Sequence, residues 1–180
     1  MSKIETNTIA PSTGTTLTLG ENGDTVALGS GATATGFGGD NTPAFSTYIG
    51  SNQTLSDATT TKADFDTEEF DTDGAYDTSN KRFTVPSGEG GKYFFHARGR
   101  FYMSANQSQF VIMLKKNNND LAKKYIYSGS AGTKIFNSTT YFSYDISAVE
   151  TLSAGDYIEV FVMSDDTGGN SITFNSGTVH

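Results

Sequence analysis

Between residues 92 and 103 the side chains change character with a period of two. Tyr93, Phe95, Ala97 and Phe101 hold one parity, and Phe94, His96, Arg98 and Arg100 the other. Only an extended chain sends alternate residues to opposite faces, so this stretch reads as a strand with its first set turned to a core. Runs rich in Val, Ile, Tyr, Phe and Thr recur at 81–86, 109–115, 123–127, 135–146, 157–164 and 171–178. Turn-forming segments separate several of them: Asn117-Asn118-Asn119-Asp120, Ser128-Gly129-Ser130-Ala131-Gly132 and Asp165-Asp166-Thr167-Gly168-Gly169. Short strands in this number and spacing predict an all-β sandwich or jelly roll. In Ile158-Glu159-Val160-Phe161-Val162-Met163, Ile158, Val160 and Val162 share one face while Phe161 and Met163 share the other. A strand apolar on both faces expects a second protein surface against it.

The first forty residues differ in texture, being dominated by Thr, Gly, Ser and Ala. Thr15-Thr16-Leu17-Thr18-Leu19-Gly20 and Asp24-Thr25-Val26-Ala27-Leu28-Gly29 each alternate apolar with polar or small residues and end in Gly. They read as a strand-turn-strand repeat with a period of roughly ten. One such ribbon is marginal in water, and three copies about an axis would bury Leu17, Leu19, Val26 and Leu28 together. A flexible linker is the competing reading. The expected organisation is a β-repeat stalk at 1–39 followed by a head at 44–180.

Composition removes several function classes. Twenty acidic residues against 12 basic ones leave a charge of −8, which disfavours nucleic acid and anionic lipid as partners. Lys115-Lys116 and Lys123-Lys124 are isolated pairs that read as solvated strand-edge charges. The chain has no Cys, hence no disulfide, thiolate zinc site or cysteine nucleophile, and no 18-residue apolar run suggests membrane insertion. Met1-Ser2-Lys3-Ile4-Glu5 has neither the charged nor the apolar region of a secretory leader. An extracellular site of action would then be reached without one, as for virion proteins released by lysis.

Several segments, in order, resemble the head of the C1q/tumour-necrosis-factor superfamily. They are Ala44-Phe45-Ser46, Phe70, Gly74-Ala75-Tyr76 with Arg82-Phe83-Thr84-Val85-Pro86, and Gly91-Lys92-Tyr93-Phe94-Phe95. Val111-Ile112-Met113-Leu114-Lys115-Lys116-Asn117, Leu152-Ser153-Ala154-Gly155-Asp156-Tyr157-Ile158 and Ile172-Thr173-Phe174-Asn175-Ser176-Gly177 continue the match. The resemblance implies a ten-stranded jelly roll and a homotrimer, with Tyr93, Phe95, Ile158, Val160 and Phe161 divided between core and trimer contact. The chain departs from the family where Gly177-Thr178-Val179 replaces its Gly-Phe-x-Leu ending. The opening, from Lys3-Ile4-Glu5-Thr6-Asn7-Thr8 through Gly29-Ser30-Gly31-Ala32-Thr33, resembles the start of structural proteins of marine tailed phages. That likeness implies a fibre, spike or capsid appendage on the virion surface.

No constellation points to catalysis. His96 lies mid-strand among Arg98 and Arg100 as a polar-face residue, His180 is the only other histidine, and no Gly-x-Ser-x-Gly motif is present. Asp64, Asp66, Glu68, Glu69, Asp71 and Asp73 cluster as a solvated acidic loop. Asp71-Thr72-Asp73-Gly74 with Asp77 has oxygen donors at alternate positions that would suit calcium, but the full twelve-residue calcium loop and its closing Glu are missing. No cofactor is expected beyond that weak calcium signal.

The expected function is therefore non-enzymatic: a trimeric phage virion protein, joined to other virion proteins by its N-terminus, whose head meets a host glycan or surface protein. Tyr102, Tyr125, Tyr127 and Tyr141, read as loop residues, would supply stacking and hydrogen bonds to such a receptor. The alternatives are a capsid decoration protein without receptor, a bacterial C1q-like adhesion module, and a depolymerase using the acidic cluster.

Overall fold

The computed structural model describes residues 9–19, 23–25, 27, 30, 43–128, 134–136 and 138–177. The chain divides into two units, Met1–Asp40 and Asn41–His180. In the first, the described residues form no strand. Leu17 and Leu19 are 41% and 51% exposed, as follows when one chain offers them no second ribbon. Val26 and Leu28 of that expected repeat lie outside the described residues.

The second unit holds twelve strands, against the ten implied by the resemblance, and no helix among the described residues. In chain order they are β1 Phe45–Tyr48, β2 Gln53–Leu55, β3 Thr61–Lys62, β4 Thr67–Asp71, β5 Tyr76–Asp77 and β6 Arg82–Thr84, then β7 Gly91–Met103, β8 Gln107–Lys116, β9 Asn119–Tyr127, β10 Thr140–Leu152, β11 Tyr157–Asp166 and β12 Ile172–Phe174. One sheet has the order β10-β7-β12-β2. The second runs β5-β6-β11-β8-β9, with β3 also paired to β11, and β1 and β4 form a separate two-stranded ribbon. Every pairing among these strands is antiparallel, and most link strands that are not consecutive in sequence, the arrangement of an all-β sandwich.

The core is the sum of the inward parities. Phe95, Ala97, Phe101 and Met103 of β7 are buried, as the alternation predicts, and face Phe110, Ile112 and Leu114 of β8 with Ile158 and Val162 of β11. Aromatic rings knit the layers: Phe101 lies 4.4 Å from Phe174 and 4.6 Å from Phe110, while Phe83 lies 5.1 Å from Phe45 and 5.6 Å from Phe95. Each such ring contributes about 1.5–3 kcal/mol by leaving water.

Three expectations are corrected. The four-residue turn at 117–120 shrinks to two residues, because Asn117 and Asn118 take φ of 51° and 65° and close a tight hairpin of the left-handed type. The acidic segment 64–73 is not a loop, since Thr67–Asp71 pairs with β1 from Phe45↔Asp71 to Tyr48↔Thr67. Its exposed side chains hide the strand, for nothing apolar alternates in Glu68-Glu69. Strand β10 begins later than residue 135 and runs on to Leu152, its polar second half being held by the ladder to β7.

Gly99 occupies the one inward position on β7 where no side chain fits. A Cβ there would lie 2.4 Å from Phe174 Cε2 and 2.8 Å from Phe101 Cζ. Gly99→Ala must push both rings aside and is expected to cost about 1–3 kcal/mol in urea unfolding. An unchanged midpoint would mean that Phe174 is not packed against this strand.

Candidate assembly and recognition faces

The outward parity of β7 and β10 forms a regular surface. In register across the ladder stand Phe94 with Val149, His96 with Ser147, Arg98 with Asp145, Arg100 with Ser143 and Tyr102 with Tyr141. Phe94 and Val149 are 69% and 67% exposed. Two large apolar side chains side by side in water forfeit several kcal/mol that a covering surface would recover, on the order of 1.5–3 kcal/mol each. At the other end of the face, Tyr102 and Tyr141 meet at 5.1 Å and the Arg100 guanidinium lies 4.1 Å above the Tyr141 ring. This platform is aromatic and cationic at once, and both tyrosines keep about half their surface in water.

The second sheet presents a different surface. Tyr125 and Tyr127 of β9 project from it, and Val111 and Met113 of β8 lie beside them, opposite Met163 and Phe161 of β11. Phe161 is capped by Lys115 at 4.5 Å and by Lys62 at 5.9 Å. Lys62 also reaches Glu159 Oε1 at 2.5 Å, which pairs the one glutamate that the sheet buries. A buried carboxylate with an adjacent ammonium serves packing here, since desolvating it alone would be costly.

The residues singled out from sequence therefore separate. Phe95 and Ile158 lie in the core, and Tyr93 and Val160 pack partly against it. The Tyr93 hydroxyl donates to the carbonyl of Glu89. Phe161 alone of the five turns outward. The four tyrosines lie on strands rather than loops: Tyr102 on β7, Tyr125 and Tyr127 on β9 and Tyr141 on β10. Tyr102 and Tyr141 share the face of Phe94, whereas Tyr125 and Tyr127 belong to the opposite sheet. Phe94 and Val149 were not singled out, although Phe94 stood in the outward parity. The missing signal was Val149, which the sequence places beyond the expected end of its strand.

The carboxylates are engaged locally. Asp66 accepts from the Gly50 amide at 2.8 Å, and Asp71 from the Tyr76 amide at 2.8 Å. Asp77 holds the turn through the amides of Ser79 and Asn80, both at 2.9 Å. Asp156 ties two turns together, accepting from Ser153 N at 2.9 Å and Asn117 Nδ2 at 2.7 Å while Lys116 sits 3.3 Å away. Among the described residues no three His, Asp or Glu side chains converge as metal ligands, and the Asp71 and Asp77 carboxylates, which suggested calcium, accept hydrogen bonds from the Tyr76 amide and from the Ser79 and Asn80 amides respectively. These bonds hold the Asp66, Asp77 and Asp156 carboxyls below their ordinary range, through the Gly50 amide, the Asn80 side chain and the Ser153 amide respectively.

No protein-family model and no curated protein matches the chain. A solved structure does: the globular domain of zebrafish complement 1qA protein, at a TM-score of 0.50 and 17% identity, over 77% of this chain and 98% of that one. The class defined by this geometry is thus an all-β sandwich with the fold of a C1q-like globular domain.

The lowered carboxyls give stability a sign with pH. Their contribution is complete above the ordinary value of 3.8 and is lost as pH falls below it through the folded-state values. Thermal midpoints are expected to fall between about pH 5 and pH 2.5, and less steeply in Asp156→Asn. An identical slope in that variant would remove Asp156 from the account.

Proposed function

We propose that this chain is a non-enzymatic, homotrimeric display protein of a bacteriophage particle, with 41–180 as its head and the N-terminal segment as its attachment to other virion proteins. The observation that carries the assembly is the exposed Phe94–Val149 pair on a flat antiparallel face. Monomeric proteins seldom leave such a pair in water, and a self-association closes it with no second gene product. The C1q-like fold supports the same reading, and so does the double-sided apolar patterning of β11. The virion setting rests on the resemblance of residues 3–33 to phage structural proteins.

If the Phe94 face is spent on assembly, the surface left for a host glycan or protein is the outer face of β8, β9 and β11. Tyr125 and Tyr127 there stand beside Lys123, which is paired with Asp120 at 2.5 Å. Exposed tyrosines next to paired charges suit the apolar face and hydroxyls of a sugar ring.

Light scattering on the full chain is expected to give the mass of three 19.2 kDa protomers. Phe94→Asp with Val149→Asp should give one protomer with an unchanged β-type circular dichroism spectrum. A monomeric native chain, or a variant that stays trimeric, would overturn the assembly. Tyr125→Ala with Tyr127→Ala should leave the trimer intact and reduce attachment of particles to host cells about tenfold; undiminished attachment leaves the head as a capsid or tail ornament.

A further inference from the structure

The outer face of the β10-β7-β12-β2 sheet carries a row of side chains fixed by three registers. Thr54 pairs with Thr173, Thr173 with Tyr102, and Tyr102 with Tyr141, so the four stand side by side across the strands. Their chain neighbours Leu55, Phe174 and Phe101 are buried in the core, which leaves the row on the wet side of the sheet. At the spacing of paired strands the row is about 14 Å wide. The adjoining row brings Ser143 and Arg100 against it, and the Arg100 guanidinium lies 4.1 Å above the Tyr141 ring.

Arg100 has no ionic partner in this setting. Lys62, Lys81, Lys115, Lys116, Lys123 and Lys124 each meet a carboxylate at 2.5–3.9 Å, whereas among the described residues Arg100 meets none. Asp145, on the same strand face as Ser143, is committed to Lys124 at 3.3 Å. A guanidinium laid flat on a ring keeps its N–H edge open to a planar carboxylate, which it can hold by two hydrogen bonds. The hydroxyls around it are open as well. Tyr76, Tyr93 and Tyr144 donate theirs to carbonyls, but no hydrogen bond among the described residues engages those of Tyr102, Tyr141, Ser143, Thr173 or Thr54.

We propose that this surface binds a uronic acid residue of a polysaccharide. Its carboxylate sits on Arg100, the apolar face of its ring on the exposed half of Tyr102, and hydroxyls of the same or the next sugar on Ser143, Thr173 and Thr54. One cation among five open hydroxyls selects this chemistry. Nucleic acid is held through many phosphates at once, and the two rows offer a single positive charge on a chain of net −8. A neutral sugar would leave the guanidinium unanswered. The site lies on the sheet opposite Tyr125 and Tyr127 and about 26 Å along β7 from Phe94, and it requires neither the trimer nor the virion setting.

Calorimetric titration of the full chain with oligomers of galacturonate, glucuronate and mannuronate, with their methyl esters and with an oligothymidylate tests this. At least one oligouronate is expected to bind, and its ester, the same rings without the charge, at least about tenfold more weakly. Arg100→Gln should lose at least about tenfold in affinity with an unchanged circular dichroism spectrum, and Arg100→Lys should fall between the two. Tyr102→Ala with Tyr141→Ala should abolish binding; if that pair unfolds the head, the exposed Arg100 still decides. Tyr125→Ala with Tyr127→Ala should bind the oligouronate as the native chain does. Binding by no oligouronate, equal binding of the ester or the oligothymidylate, or an unaffected Arg100→Gln overturns the proposal. Loss of binding in the Tyr125 and Tyr127 variant with Arg100→Gln unaffected moves the sugar to the other sheet, which overturns this site and leaves the display reading standing.

Discussion

The ladder between β7 and β10 is the constraint from which the rest of the head follows. Thirteen residues of each strand pair without a break, from Thr140↔Met103 to Leu152↔Gly91. An unbroken register over that length leaves no freedom in parity, since a slip of one residue would exchange the two faces. It sends Phe95, Ala97, Phe101 and Ile146 inward to meet β8 and β11. The same register aligns Phe94 with Val149 and Tyr102 with Tyr141 on the outside. The core and the exposed aromatic and apolar face are thus two readings of one pairing.

Five aspartates of the second unit are used as turn fittings. Asp66, Asp71, Asp77 and Asp156 each accept main-chain amides, and the Asp156 knot joins the β8–β9 hairpin to the β10–β11 turn through Asn117 and Lys116. Asp166 does the same at the other end of β11, accepting from Gly168 N at 2.6 Å with the Ser104 hydroxyl bonded to its second oxygen. Carboxylates committed in this way satisfy loop amides that the short strands leave unpaired. A glycan-cleaving pair would need two of them free and facing each other. The binding reading instead draws on the aromatic faces, where the exposed side chains stand.

Much of the head was legible because period-two patterning survives wherever one face is buried and the other is wet. β7 satisfies this over its whole length, and its inward set was read residue by residue. The pattern fails where both faces are wet, as in β4, whose Glu68 and Glu69 concealed a strand. It fails again where a strand continues on polar residues, as in the half of β10 that carries Val149. The tyrosines were legible as exposed side chains, but their division between two opposite faces was not, because parity within one strand says nothing about which sheet that strand joins.

By itself the sequence determined the all-β class, the inward parity of β7, the positions of most turns and the absence of thiol chemistry. Those properties depend on neighbours a few residues away, where alternation and glycine or asparagine geometry act directly. Tertiary structure decided what depends on partners tens of residues distant. It joined Phe94 to Val149 and threaded β4 onto β1. It also set residues of β1 and β7 on the walls of one cleft, lined among others by Phe45, Thr47, Phe95 and Arg98. Pairing partners in a sandwich are chosen by the packing of the whole core, and no local pattern encodes that choice.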